Sequence, residues 1–158
     1  NVDLKSFRNE FYKKKCGAAL HPVLDSLKKM KELGIWIEIT TLLIPGLNDS
    51  PEELKDIAAF ISSLGSETPW HISRFHPQFR MLQVPSTSVV SMHLARRIGK
   101  EAGLKYVYSG NVPGDEGENT YCSNCEKLLI NRYGYSIIDN LLSGNACPHC
   151  GNKLEGLF

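Results

Sequence analysis

Long apolar runs and a strong net charge are both missing from this sequence. No uninterrupted apolar run reaches about 18 residues, the length that a membrane-spanning helix needs. The first residues show neither the apolar core of a signal peptide nor a start methionine. The formal net charge of +1 provides little general attraction for nucleic acid or for an acidic membrane. We therefore expect a soluble, cytoplasmic chain with no membrane or nucleic-acid partner, whose true beginning lies upstream of Asn1.

Cysteine is scarce and odd in number, which argues against a disulfide framework. The chain has five cysteines, and four of them form two C-x-x-C pairs at a separation close to that of zinc ribbons. In a secreted protein an odd count would leave one thiol over. The pairs therefore indicate a metal site in a protein of a reducing compartment.

The two cysteine pairs predict one tetrahedral ion. Four thiolates leave no position open for a substrate water, so we expect a structural site, with zinc as the ion and iron in a rubredoxin-like site as the chemical alternative. Disulfides are the weaker alternative. We do not expect His149 to be a ligand, and we interpret Cys16 as a small buried hydrophobe. The four predicted ligands are Cys122, Cys125, Cys147 and Cys150.

Residues 35–50, with the sequence IWIEITTLLIPGLNDS, organise the rest of the chain. Isoleucines alternate with other side chains as in a long buried strand, and a Pro-Gly turn follows. A helix is predicted next, at residues 51–64, with Ser50 as its cap, Pro51 at the first position and Glu53 completing a capping box.

The other segments repeat this alternation of strand and helix. Strands are predicted at residues 1–5, 70–76 and 104–108, and helices at 22–33 and 88–102; residues 7–15 fit a short helix or a loop. Strands separated by helices indicate a parallel sheet. Four strands are too few for a closed barrel. We therefore predict an α/β fold, the C-terminal half of a partial (β/α) barrel at residues 1–110, a linker at 111–119, and a rubredoxin-like zinc ribbon at 120–158.

Polar residues recur at alternate positions of three predicted strands. If one register aligns them, they line the lumen of the barrel, where burying unpaired charges would be costly without a ligand. A purely structural network is the alternative, including a Glu38–Arg74 pair without chemistry, and His71 is expected on the opposite face as a core histidine. The aligned residues are Asn1, Asp3, Lys5, Glu38, Thr40, Arg74 and His76.

Four segments, NVDLK, IPGLND, WHISRFHP and YVYSGNVPGDEGENTYC, are followed by the paired cysteines. Together they resemble the radical S-adenosylmethionine enzymes of the AmmeMemo-associated group, which are similar to pyruvate formate-lyase activating enzyme. The resemblance implies that Asp3, Lys5 and His76 line the cofactor and substrate cavity. Lys5 would face a carboxylate, Asp3 an ammonium or hydroxyl, and His76 the nucleoside or methionine part. With the strand-face argument, the expected S-adenosylmethionine and substrate cavity comprises Asp3, Lys5, Glu38, Thr40, Arg74 and His76.

The resemblance also implies a [4Fe-4S] cluster that this chain does not ligate. Enzymes of this kind hold the cluster with a C-x-x-x-C-x-x-C motif, which is absent here. They generate a 5'-deoxyadenosyl radical that abstracts hydrogen from a protein glycyl residue or a small molecule. We therefore expect no catalytic residue in this fragment, no activity of the fragment alone, and a missing N-terminal half of the same enzyme as its partner. The alternative is a non-catalytic zinc-ribbon module that binds protein or RNA.

Overall fold

A computed structural model describes residues 1–157. Its main layer is a parallel four-stranded sheet in the order β1-β2-β3-β4, so the predicted α/β class is confirmed. Three long helices follow the first three strands in turn along the chain, as parallel connections require. The strands are β1 (Val2–Asp3), β2 (Ile39–Leu43), β3 (Trp70–Arg74) and β4 (Val107–Gly110).

The long helices begin and end close to the predicted positions. Ser50 and Ser88 each accept a hydrogen bond from a backbone N–H of the first turn, and so cap two of the helices. A short helix, α1 (Asn9–Phe11), runs into a π-helical turn (Tyr12–Cys16), where Cys16 is exposed. Its prediction as a buried hydrophobe is therefore wrong. The long helices are α2 (Leu20–Glu32), α3 (Pro51–Leu64) and α4 (Val89–Glu101).

The predicted capping box at the start of α3 is replaced by a longer-range contact. Glu53 is 4% exposed, and its Oε1 accepts hydrogen bonds from the hydroxyl of Ser6 and from the backbone N–H of Phe7, the latter over 2.8 Å. The carboxylate thus ties the start of α3 to the segment after β1. Local sequence predicted that the Glu53 carboxylate would cap the helix, but in the folded chain it bonds Ser6 and Phe7.

One face of the sheet packs against the helices and forms the core. Trp70 and Ile72 of β3 are fully buried there with Ile39 and Leu43 of β2. Helix α4 approaches Trp70 so closely that a Cβ added at Gly99 would lie 2.9 Å from Trp70 Cε3. Within residues 1–157 no long helix packs on the opposite face, and Thr40, His71 and Tyr108 on that face line a cavity.

All four strands of the parallel sheet differ from their predicted extents. β1 and β3 are shorter than predicted, and residues 35–38 lie outside β2. The fourth strand is shifted to Val107–Gly110, so it includes Ser109 and Gly110. Leu104 donates its N–H to Gly99 O and so completes the end of α4 instead of starting the strand. The exact domain boundaries stay a prediction.

The C-terminal part forms a second, antiparallel sheet in the order β5-β6-β7. Its strands are β5 (Thr120–Tyr121), β6 (Leu128–Tyr133) and β7 (Ser136–Asn140), and β6 and β7 form an antiparallel hairpin. Only four residues form its buried core, and two of them are cysteines: Cys122, Leu129, Cys147 and Leu154. Within residues 1–157 no helix combines the length and the apolar character needed to cross a membrane.

Candidate cavity and metal site

Strand register decides which polar residues share the uncovered face of the sheet. Thr40 of β2 is paired with Asp3 of β1 and with His71 of β3, and residues paired across neighbouring strands lie on the same face. His71 therefore faces the uncovered side, and its prediction as a core histidine is wrong. Arg74 is paired with Leu43, which places it on the helix-covered side, contrary to the prediction.

Arg74 and His76 do not reach the cavity described below. Arg74 Nε donates a hydrogen bond to Thr87 O over 2.8 Å, so the guanidinium anchors the loop before α4. His76 follows the end of β3 and is exposed. The prediction that both residues join Glu38 and Thr40 on one face is therefore wrong, because alternation along a strand does not fix its phase relative to the next strand.

Glu38 and His71 form a hydrogen-bonded pair on the uncovered face. His71 Nε2 lies 2.8 Å from Glu38 Oε2, and this hydrogen bond lowers the pKa of Glu38 below its ordinary value. Glu38 thus pairs with His71 and not with Arg74. Trp36 Nε1 approaches the other carboxylate oxygen at 3.5 Å.

Tyr108 extends this pair into a larger cluster. Its ring stacks on the His71 imidazole with centroids 5.1 Å apart, and its hydroxyl lies 3.0 Å from Thr120 Oγ1 of the C-terminal sheet. The Arg132 guanidinium lies over the same ring at 5.8 Å. Burial raises the pKa of Tyr108, so the phenol stays neutral and serves as a fixed aromatic wall.

A cavity of about 720 Å³ lies between the uncovered face and the C-terminal sheet, within the usual range for small-molecule sites. Three of the residues predicted on the polar face, Asn1, Glu38 and Thr40, line it. Sequence reasoning missed the other polar and aromatic members, although the tryptophan at alternate spacing before Glu38 was a usable signal. Those members include Trp36, His71, Tyr106, Tyr108 and Arg132.

The predicted residues of β1 lie beside the strand end instead of in the cavity wall. Lys5 Nζ is 3.0 Å from Asp3 Oδ2, and both side chains are about half exposed. Their position at the carboxyl end of a parallel strand is the usual place for ligand-binding residues in (β/α) folds. The structure brings Asp3 and Lys5 together, and their contacts with a cofactor stay a prediction.

The IPGLND segment has a structural role that positions this strand end. The Asn48 side chain is buried; its Oδ1 accepts from Ile44 N over 2.7 Å, and its Nδ2 donates to Lys5 O and Leu42 O over 2.6 and 2.9 Å. Asn48 therefore holds the ends of β1 and β2 together at the edge where Lys5 lies.

The four predicted cysteine ligands converge on one point. All four Sγ atoms lie within 4.8 Å of one another, with Cys122–Cys150 at 3.6 Å and Cys125–Cys147 at 3.7 Å. A tetrahedral zinc with Zn–S bonds of about 2.3 Å has S–S edges of about 3.8 Å, so the donor set fits one such ion. It is too compact to surround a four-iron cube, whose cysteine ligands are on separate irons.

The clustered sulfurs shift one another's titration in opposite directions. The N–H of Asn152 lowers the pKa of the Cys150 thiol to about 6, whereas burial and contacts with the other three sulfurs raise the pKa of Cys125 to about 12. Glu126 and Gly151, each directly after the second cysteine of its pair, have φ values of 57° and 72°. These left-handed turns bring the backbone around the sulfurs, which is consistent with a site for a single ion.

The chain is similar in sequence to one curated protein, but the comparisons do not assign it to a family. No family model matches the chain. It is 48% identical over 158 residues to the uncharacterized protein MJ0808 of Methanocaldococcus jannaschii, covering 98% of this chain and 47% of that protein. The chain thus spans about half the length of this curated relative.

Among solved structures, a domain of pyruvate-formate lyase-activating enzyme from Bacteroides vulgatus is similar, with a TM-score of 0.61 and 20% sequence identity. The match covers 70% of this chain and 66% of that one. At this identity the match establishes a shared fold. It agrees with the parallel sheet, and the four-cysteine cluster described above can bind a metal ion.

Proposed function

We propose that this chain is the C-terminal portion of a radical S-adenosylmethionine enzyme similar to pyruvate formate-lyase activating enzyme. In this proposal it binds part of the cofactor at the carboxyl ends of its strands and the substrate in its cavity. The observation that carries the proposal is the uncovered polar face of a parallel sheet, which opens into a ligand-sized cavity. The fold shared with a domain of an activating enzyme supports it.

The strand-end residues fit the amino-acid part of S-adenosylmethionine by their chemistry. Lys5 offers an ammonium to a carboxylate, Asp3 offers a carboxylate to an ammonium, and His76 is exposed after β3. Glu38 and Thr40 lie deeper and would contact the substrate. When bound with a reduced cluster, S-adenosylmethionine would supply a 5'-deoxyadenosyl radical for hydrogen abstraction. The residues of this chain would bind and orient the cofactor and the substrate and shield the radical from water.

The [4Fe-4S] cluster has no ligand set in the described part of this chain. The cysteine cluster of residues 122–150 fits a single ion, for which we propose zinc, in a structural role. In our proposal the cluster ligands belong to another part of the protein, the partner that completes the barrel. Reading the coding frame upstream of Asn1 tests this: we expect C-x-x-x-C-x-x-C after a predicted strand.

Calorimetric titration of the full-length protein with S-adenosylmethionine tests the binding role. We expect Lys5→Ala and His76→Ala each to weaken binding at least tenfold. The matched controls Lys29→Ala, on the exposed side of α2, and His21→Ala should bind like the wild type. Unchanged affinity in both test variants would contradict the assignment.

The alternative of a non-catalytic module that binds protein or RNA has less support. A pure scaffold gives no reason for the polar cavity, and Arg132, a basic residue of β6, already donates to Thr120 Oγ1 and Glu118 O. Tight retention of RNA by the full-length protein, together with no binding of S-adenosylmethionine, would favour the alternative.

A further inference from the structure

The Glu38–His71 pair has the arrangement of an oriented base. The Glu38 carboxylate accepts a hydrogen bond from His71 Nε2–H. In the neutral imidazole the proton is therefore on Nε2, and the lone pair of Nδ1 is free to accept another proton. Stacking on Tyr108 fixes the plane of the ring. A base held by a carboxylate on one nitrogen and open on the other is the usual device for proton transfer.

The second nitrogen is available to a ligand. Among residues 1–157, no hydrogen bond to His71 Nδ1 occurs. The His71 side chain is 32% exposed, and His71 lines the cavity. A residue that only balanced the Glu38 charge would need no such opening. The cavity has room for a small organic molecule beside the imidazole.

The pair is separate from the strand-end residues assigned to the cofactor. Glu38 precedes β2 and His71 is the second residue of β3, whereas Asp3 and Lys5 lie at or after the end of β1. Neither Asp3 nor Lys5 lines the cavity. One end of the sheet therefore carries the candidate cofactor contacts, and the cavity contains a second group of reactive side chains.

We infer that His71, oriented by Glu38, is a proton acceptor for a small organic substrate that carries an O–H or N–H group. Nδ1 takes the proton, the substrate keeps the electron pair as its conjugate base, and Glu38 stabilises the imidazolium through Nε2–H. The proton returns to the product or to water. The inference rests on the proposed function only in taking the cavity as the substrate site, and it favours a small molecule over a protein glycyl loop.

Ethoxycarbonylation by diethyl pyrocarbonate, mapped by peptide mass spectrometry, tests the free nitrogen in the zinc-loaded protein. The reagent acylates accessible, unprotonated imidazole nitrogens. We expect His71 to react, and to react at least fivefold more slowly in Glu38→Gln, which keeps the shape of the side chain. His76, exposed and outside the cavity, is the internal control and should react at the same rate in both proteins.

A chromophoric probe tests proton transfer directly. 4-Nitrophenol, buffered below its pKa, should show a saturable rise of the phenolate absorbance when the protein is added, because His71 accepts its proton. 4-Nitroanisole has no O–H and should show no change. The rise should be lost in His71→Gln and kept in His21→Gln, at an exposed position outside the cavity, with equal metal content and circular dichroism confirming the fold.

An unreactive His71, an acylation rate unaffected by Glu38→Gln, or no phenolate rise would each overturn the inference. Because Glu38→Gln is isosteric, it keeps the test decisive even if His71→Gln does not fold. These measurements use no S-adenosylmethionine. A failure of cofactor binding would contradict the proposed function, whereas a failure here would contradict only the role of His71.

Discussion

Asn48 Nδ2 donates a hydrogen bond to Lys5 O over 2.6 Å, which joins the turn after β2 to the end of β1. The same side chain also bonds Ile44 N and Leu42 O, so all its near partners are backbone groups. One buried amide thus sets the position of the strand end on which Lys5 lies.

Replacing this amide should be costly. Asn48→Ala leaves buried backbone groups of Lys5, Leu42 and Ile44 without partners, so we expect the free energy of unfolding to fall by about 2–4 kcal/mol. Urea denaturation measures the loss. Asn145→Ala, at an exposed position, should change it by less than about 0.5 kcal/mol; equal effects of the two variants would refute the role of Asn48.

Gly99 should behave unlike an ordinary helical glycine. Gly→Ala inside a helix normally stabilises by up to about 1 kcal/mol, but the added methyl group would lie 2.9 Å from Trp70 Cε3. We expect Gly99→Ala to destabilise the protein by about 1–3 kcal/mol through overpacking. Thermal unfolding gives the sign, and a raised melting temperature would contradict the contact.

Acid should weaken the Glu38–His71 pair. The bond from His71 lowers the pKa of Glu38, so as pH falls below the ordinary value of 4.5 the unfolded chain takes up a proton first. Stability is therefore retained above this pH and lost as pH falls through the folded-state pKa. Because Glu38 is 41% exposed, solvent screening limits the effect to less than about 1 kcal/mol. Urea unfolding at neutral pH and at about pH 3.5 should show a smaller loss in Glu38→Gln than in the wild type.

Metal removal should unfold the C-terminal sheet selectively. Two of its four core residues, Cys122 and Cys147, are predicted ligands, so we expect a bound metal to contribute much of its folding free energy. Chelation or Cys147→Ser should abolish hydrogen-exchange protection in β6 and β7 while β2 and β3 stay protected. Cys16→Ser, at the exposed fifth cysteine, should retain one metal ion per chain by elemental analysis; full metal content in Cys147→Ser would contradict the assignment.

Local pattern was sufficient for much of this fold. Ser50, Pro51 and the spacing of Leu54, Ile57 and Ile61 predicted α3 at its observed bounds, because capping and amphipathic spacing act within a few turns of helix. Glu53 was the exception. Its carboxylate bonds the segment after β1, a partner that no local pattern identifies.

By itself the sequence determined the four-cysteine cluster and the alternation of strands and helices. Two C-x-x-C turns present their sulfurs through short-range geometry, so Cys122, Cys125, Cys147 and Cys150 could be named from spacing alone. Only the tertiary structure decided the cavity. Alternation divides each strand into two faces but leaves open which face meets which face of the next strand, and a shift of one residue exchanges them. In the folded sheet Thr40 pairs with His71 and Leu43 pairs with Arg74, which places His71 on the cavity face and Arg74 on the helix-covered face.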